Sequence, residues 1–189
     1  GIAQRFTAAG LAVIRFDFSG CGESSGHISE TTVTRRLQEL EAVAAFAAER
    51  QNQFRRRPCL LGSSLGGFLC LLHAARRPGV VLSLWATPYD LSEIAVTIPP
   101  EELKVLKQDF FVDARSFQLD PIFGAVSRAQ LIHGRKDTIV PWQHAEKIFS
   151  LINQPKELVF LPTGDHSLTD PKDRAAATEK SLAWFLQNL

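Results

Sequence analysis

Short apolar runs alternate with longer amphipathic ones along this chain. The short runs are residues 11–16, 59–61, 80–85, 130–133 and 158–161. They are unbroken, not alternating, which suits strands of a parallel sheet covered on both faces. Residues 31–51, 67–75, 142–152 and 175–189 have the length and spacing of helices. Residues 2–9 read as the end of a helix, closed by Gly10. In the helix at 31–51 the expected inner face is Leu37, Leu40, Val43, Ala44, Phe46 and Ala47. Strands separated by helices predict right-handed βαβ crossovers, hence an α/β fold with a mostly parallel sheet flanked by helices. Residues 88–121 break the rhythm. They carry Pro99, Pro100, a helical piece at 101–108 and the aromatics Phe110, Phe111 and Phe117, and are expected to form a small cap inserted between two strands. The whole chain, 189 residues, suits one domain.

Composition narrows the function classes. A net charge of +1 gives no reason to expect a nucleic-acid partner or an anionic membrane. Arg55, Arg56 and Arg57 form a short basic run just before a strand, which fits a solvated loop. No apolar stretch approaches the roughly 18 residues that a membrane helix needs. The three cysteines have no metal spacing. Cys59 and Cys70 lie in apolar runs and are expected as buried thiols, and Cys21 lies in a glycine loop. A reducing, cytoplasmic compartment is the expectation. The chain starts at Gly1, contains no Met and opens on an uncapped helix pattern, so a natural N-terminus further upstream is expected. Nothing in the sequence specifies an oligomeric state.

The candidate chemistry centres on Gly62-Ser63-Ser64-Leu65-Gly66, a Gly-x-Ser-x-Gly pattern set between a strand and an apolar helix. A turn this sharp projects the serine hydroxyl away from the backbone, and glycine is expected at the flanking positions because a Cβ there would clash. A second match, Gly22-Glu23-Ser24-Ser25-Gly26, runs into polar residues and reads as a loop. Context therefore selects Ser64 over Ser24.

A serine hydroxyl becomes a nucleophile only when a base takes its proton and an acid orients that base. Asp137 follows a strand within a glycine turn, and it also fits a turn aspartate capping its own backbone. His166 follows the last strand and precedes the last helix. His27 is in a polar loop, His73 and His144 fall inside helices, and His133 ends a strand, so each fits the base position less well. The backbone N–H of Leu65, next to the nucleophile and at a helix N-terminus, is the expected first half of an oxyanion hole. Such chemistry needs no metal or cofactor. Leu91, Phe110, Phe111 and Trp142 are candidate contacts for a small-molecule ester, or else packing residues of the cap.

These residues resemble the α/β-hydrolase superfamily, and within it the small-cap bacterial esterases and lipases grouped with serine aminopeptidase-like hydrolases. The resemblance rests on Gly62 to Gly67, on Arg15-Phe16-Asp17-Phe18-Ser19-Gly20-Cys21-Gly22-Glu23-Ser24, on His133-Gly134 through Pro141, and on Gly164-Asp165-His166. It implies Ser64 as nucleophile, Asp137 as acid and His166 as base, with Asp17, His133 and Asp165 as structural positions. It also implies a His-Gly loop and three strands that would precede Gly1. The expectation is thus an N-terminally truncated fold of five parallel strands, with the one at 11–16 displaced or imperfectly paired. Losing one oxyanion donor costs roughly 10²–10³ in rate, which would make a weak enzyme. The implied reaction is ester hydrolysis through an acyl-enzyme. A peptidase or thioesterase on the same three residues, and a non-catalytic hydrolase-like binding domain, remain open alternatives.

Overall fold

A computed structural model describes residues 1–50, 57–94 and 106–189. Four parallel strands form one sheet in the order β1 (Cys59–Ser63), β2 (Val81–Trp85), β3 (Ala129–Gly134) and β4 (Lys156–Leu161). Each strand pairs with the next in sequence. Every residue of β2 and β3 is buried, whereas β1 and β4 are the partly exposed edges. This burial on both faces is why the strands read as unbroken apolar runs.

The described α-helices are α1 (Ile2–Ala8), α2 (Val33–Arg50), α3 (Leu65–Arg76), α4 (Leu91–Ile94), α5 (Gln108–Ala114), α6 (Gln143–Leu151) and α7 (Pro171–Asn188). Side chains alternate across a strand, so the sheet feeds two cores. Leu82, Leu84 and Leu131 join Val33 and Leu37 of α2, Phe68 and Leu71 of α3 and Ile148 of α6 on one face. Val81, Trp85 and Ile132 meet α1 and α7 on the other, where Phe6 packs edge-on against Phe185 at 5.8 Å between ring centroids. None of the described helices is long and apolar enough to cross a membrane.

A buried polar bridge ties α7 to the sheet. Trp85 Nε1–H donates to Ser181 Oγ at 3.0 Å, and Ser83 Oγ lies 2.8 Å from that oxygen and 3.1 Å from Gln130 Oε1. Burying such polar groups is costly unless they are paired in this way.

The structure corrects three expectations. Residues 11–16 form no strand, so among the described residues the sheet has four strands and not five. No described strand pairs with them to complete a ladder. Val13 and Ile14 stay exposed, and only the flanking Leu11, Phe16 and Phe18 pack on the cores. Phe46 does not belong to the inner face of α2. It is nine residues from Leu37, about two and a half turns, and so points the opposite way. It is 48% exposed under the Arg50 guanidinium. Cys59 is only partly buried because β1 is an edge, whereas Cys70 is buried, and desolvation pushes both thiols up to about 12.

The chain between β2 and β3 carries α4, α5 and a 3₁₀ turn, Asp120–Ala125. The expected helical piece at 101–108 lies mostly outside the described residues, and α5 begins at its last position, Gln108. Asp113 of α5 accepts from both the N–H and the hydroxyl of Thr34, which caps α2 from a distant segment.

Candidate active site

Strand β1 ends at Ser63 and helix α3 begins at Leu65, so Ser64 alone makes the turn. Its backbone sits at φ +53° and ψ −124°, a conformation that L residues rarely adopt. Local bonds hold it there. Its N–H donates to Trp85 O at 2.8 Å, and its carbonyl accepts from the N–H groups of Gly67 and Phe68. A Cβ on Gly62 would lie 2.4 Å from Gly66 O, and one on Gly67 would lie 1.9 Å from Thr87 Oγ1. Gly66 is different, with nothing within 4 Å of its Cβ position. The two positions closed to a side chain are therefore Gly62 and Gly67. The expectation of a clash at both flanking glycines of the pattern holds at Gly62 and fails at Gly66.

Asp137 and His166 come from the loops that follow β3 and β4. All three loops open at the carboxyl edge of the sheet, where α/β folds place their crevices. The loops of Asp137 and His166 are joined through their backbones. Arg135 N–H donates to Leu161 O at 2.8 Å and Lys136 N–H to Gly164 O at 2.9 Å.

The side chains meet in a line. His166 Nε2 lies 3.1 Å from Ser64 Oγ, and His166 Nδ1 lies 2.8 Å from Asp137 Oδ2. The Asp137 side chain is wholly buried, while that of His166 is 21% exposed. Burial pushes the Asp137 carboxyl up, but hydrogen bonds from His133, His166 and the Val140 backbone outweigh it and hold the group well below the usual carboxylate range. A carboxylate can only accept, so Nδ1 is the N–H of His166 and Nε2 is free to accept from Ser64. Asp137 Oδ1 also accepts from the N–H groups of Ile139 and Val140, so the turn-capping role and the histidine contact coexist.

Leu65 is the first residue of α3, so its N–H has no acceptor within the helix. Asp17 receives the Glu23 N–H on its carboxylate and the Ser24 hydroxyl on its carbonyl, which folds the 17–24 loop on itself and uses Ser24 structurally. Asp165 accepts from the backbone and hydroxyl of Thr169. Two residues of the site carry a signal that the pattern reading missed, Thr87 against Gly67 and Gly134 against Gly164. In each case the residues were visible in the sequence and their contact was not.

The four expected substrate contacts have packing roles here. Phe110 is buried in the core with Phe111 edge-on against it, and Leu91 packs on the same core. Trp142 stands edge-on to Phe160, and the Arg135 guanidinium lies 3.9 Å and 3.6 Å from the centroids of these two rings.

Comparison with known proteins gives the family and the fold. The family model described as alpha/beta hydrolase family matches residues 3–131. YfhR of Escherichia coli strain K12 is 29% identical over 82% of this chain and 52% of its own length. The mouse mitochondrial palmitoyl-protein thioesterase ABHD10 is 31% identical over 87% of this chain and 62% of its own length. The chain thus spans little more than half the length of these relatives. Among solved structures, mouse ABHD10 superposes with a TM-score of 0.75 at 28% identity, covering 95% of this chain and 80% of that one. The esterase domain of a Rhodothermus marinus protein gives 0.75 at 27% identity, covering 97% and 77%.

Proposed function

The chain belongs to the alpha/beta hydrolase family, a family of hydrolases, and from that premise we propose that it is a serine hydrolase that cleaves carboxylic esters through an acyl-enzyme. The observation that carries this reading is the continuous line of hydrogen bonds from Asp137 through His166 to Ser64. Ser64 Oγ attacks the ester carbonyl while His166 Nε2 takes the hydroxyl proton. Asp137, kept ionised, stabilises the imidazolium that forms and fixes its Nδ1–H. The Leu65 N–H donates to the carbonyl oxygen as it becomes negative. His166 then returns the proton to the departing alcohol. In the second half-reaction His166 deprotonates a water that attacks the acyl carbonyl, and the acid leaves with Ser64 restored. Leu91 of α4, Phe111 of α5 and Trp142 are the candidate contacts to the ester.

Thioester cleavage by the same steps is a second reading, favoured by the name of the ABHD10 relative. Fold alone does not choose between them. Parallel assays with p-nitrophenyl esters and acyl thioesters test both. Turnover of the oxygen esters that is lost in Ser64→Ala supports the first reading. Turnover confined to thioesters replaces it with the second, and no turnover of either overturns both.

A further inference from the structure

The His133 side chain is fully buried at the end of β3, beside Phe160 of β4. Its Nε2 lies 2.8 Å from Val140 O and 3.2 Å from Asp137 Oδ2. Both atoms are acceptors, so the ring hydrogen sits on Nε2. The other ring nitrogen, Nδ1, is buried without a partner among the described residues. A bare lone pair there is the cheaper state, because an N–H would need an acceptor. His133 is therefore locked as one tautomer that aims a single donor at the Asp137 carboxylate and at the loop that carries it.

Among the described residues, four donors lie around the Asp137 carboxylate. The Oδ1 pair, from Ile139 and Val140, belongs to its own loop. The Oδ2 pair is His166 and His133. Of the four, His133 is the donor that comes from the sheet itself. Two local bonds to Oδ1 hold the carboxyl to its loop, and the His133 N–H, bonded to the Val140 carbonyl, stands 3.2 Å from Oδ2. The Val140 carbonyl on the same Nε2 fastens the loop to the strand at the same point.

We propose that His133 is a positioning residue for hydrolysis, its Nε2–H fastening the Val140 carbonyl to β3 and standing 3.2 Å from Asp137 Oδ2, so that the carboxylate keeps its place on the line to His166 Nδ1. This inference rests on the serine-hydrolase reading and adds to it a residue that never touches substrate. The test compares the parent chain with His133→Met, which keeps apolar bulk without the donor, and with His133→Gln, whose amide N–H reaches to the place of Nε2. Hydrolysis of p-nitrophenyl acetate is followed from pH 5 to 9. In His133→Met, kcat should fall about ten- to a hundredfold with KM nearly unchanged, as misplacement of a catalytic group does. The acid limb of the kcat/KM profile should also move up by about half a pH unit, because a carboxylate with one donor fewer attracts the developing imidazolium more strongly. His133→Gln should recover most of both.

A folded His133→Met with the parent's kcat and pH profile would overturn the inference and leave the serine-hydrolase reading standing. A parent chain that neither turns over the ester nor is labelled at Ser64 by a fluorophosphonate would overturn both. If His133→Met does not fold, imidazole ¹⁵N NMR of the parent decides. A His133 ring with hydrogen on Nε2 and a bare Nδ1, whose shifts respond when Ser64 is phosphonylated, is expected. Hydrogen on Nδ1, or shifts that do not respond, would overturn the inference.

Discussion

Gly134 and Gly164 meet backbone to backbone. A Cβ on Gly134 would lie 2.1 Å from the Gly164 carbonyl oxygen, the acceptor of the Lys136 N–H. This contact holds the loop of Asp137 against the loop of His166. Gly134→Ala should part the two loops and stretch the Asp137–His166 contact, lowering ester turnover about a hundredfold. Turnover of the folded variant is the check, and an unchanged kcat would show that the loops do not depend on this approach.

The glycines of the elbow should behave unequally. Gly67→Ala drives a methyl onto Thr87 Oγ1 and should cost about 1–3 kcal/mol of stability. The added substitution Thr87→Ser, which leaves the hydroxyl in place, should recover less than Thr87→Ala. Gly66→Ala meets open space within α3 and should stabilise by about 0.5–1 kcal/mol, as alanine does over glycine in a helix. Urea unfolding distinguishes the two directions.

Ser181 accepts the Trp85 indole N–H inside the sheet–helix interface, where its side chain is fully buried. Ser181→Ala leaves that donor unpaired and should cost about 1–3 kcal/mol. A change in the urea midpoint with an unaltered slope would report it cleanly.

Acid should destabilise the fold in two stages. Desolvation by burial holds His73 and His144 below their ordinary 6.5, and Asp137 is held below its ordinary 3.8 despite burial, by its hydrogen bonds. All three bind protons more readily when unfolded, so stability rises with pH across their windows. Each contribution is complete above the unfolded value and is lost as pH falls toward the folded one. Unfolding free energy should be level near neutrality, decline from about pH 6.5 and decline again below about pH 4. His144 accepts the Tyr89 N–H on Nδ1 at 3.0 Å, so its protonation also breaks that bond. Stability that rises on acidification from pH 7 to 5 would contradict this assignment.

Much of this architecture was legible in the apolar runs, because strands buried on both faces and the helices between them leave a pattern in one dimension. The order of Ser64, Asp137 and His166 was legible for the same reason, since each follows a strand and parallel strands bring their carboxyl ends together. What failed depended on partners that a linear pattern does not contain. Residues 11–16 have the composition of a strand and, among the described residues, no strand to pair with. Phe46 is apolar, yet helix geometry turns it away from Leu37. Gly66 fits the motif and meets nothing, whereas the next residue, Gly67, meets Thr87. The approach of His133 to Asp137 and its loop was hidden because a histidine at the end of a strand looks the same whether its ring faces solvent or a carboxylate.

Asp137→Asn would keep the shape of the site but lose the charge that fixes the His166 tautomer. Its kcat on esters should fall by about 10⁴. A loss smaller than tenfold would mean that Asp137 caps its loop and does no more.

The most direct test of the central claim is intact mass after treatment with a fluorophosphonate, for the parent chain and for Ser64→Ala. One adduct on the parent and none on the variant is the predicted result, since only a serine activated by His166 reacts readily with such a reagent. No adduct on a parent chain that circular dichroism shows to be folded, or an adduct that persists in Ser64→Ala, would contradict it.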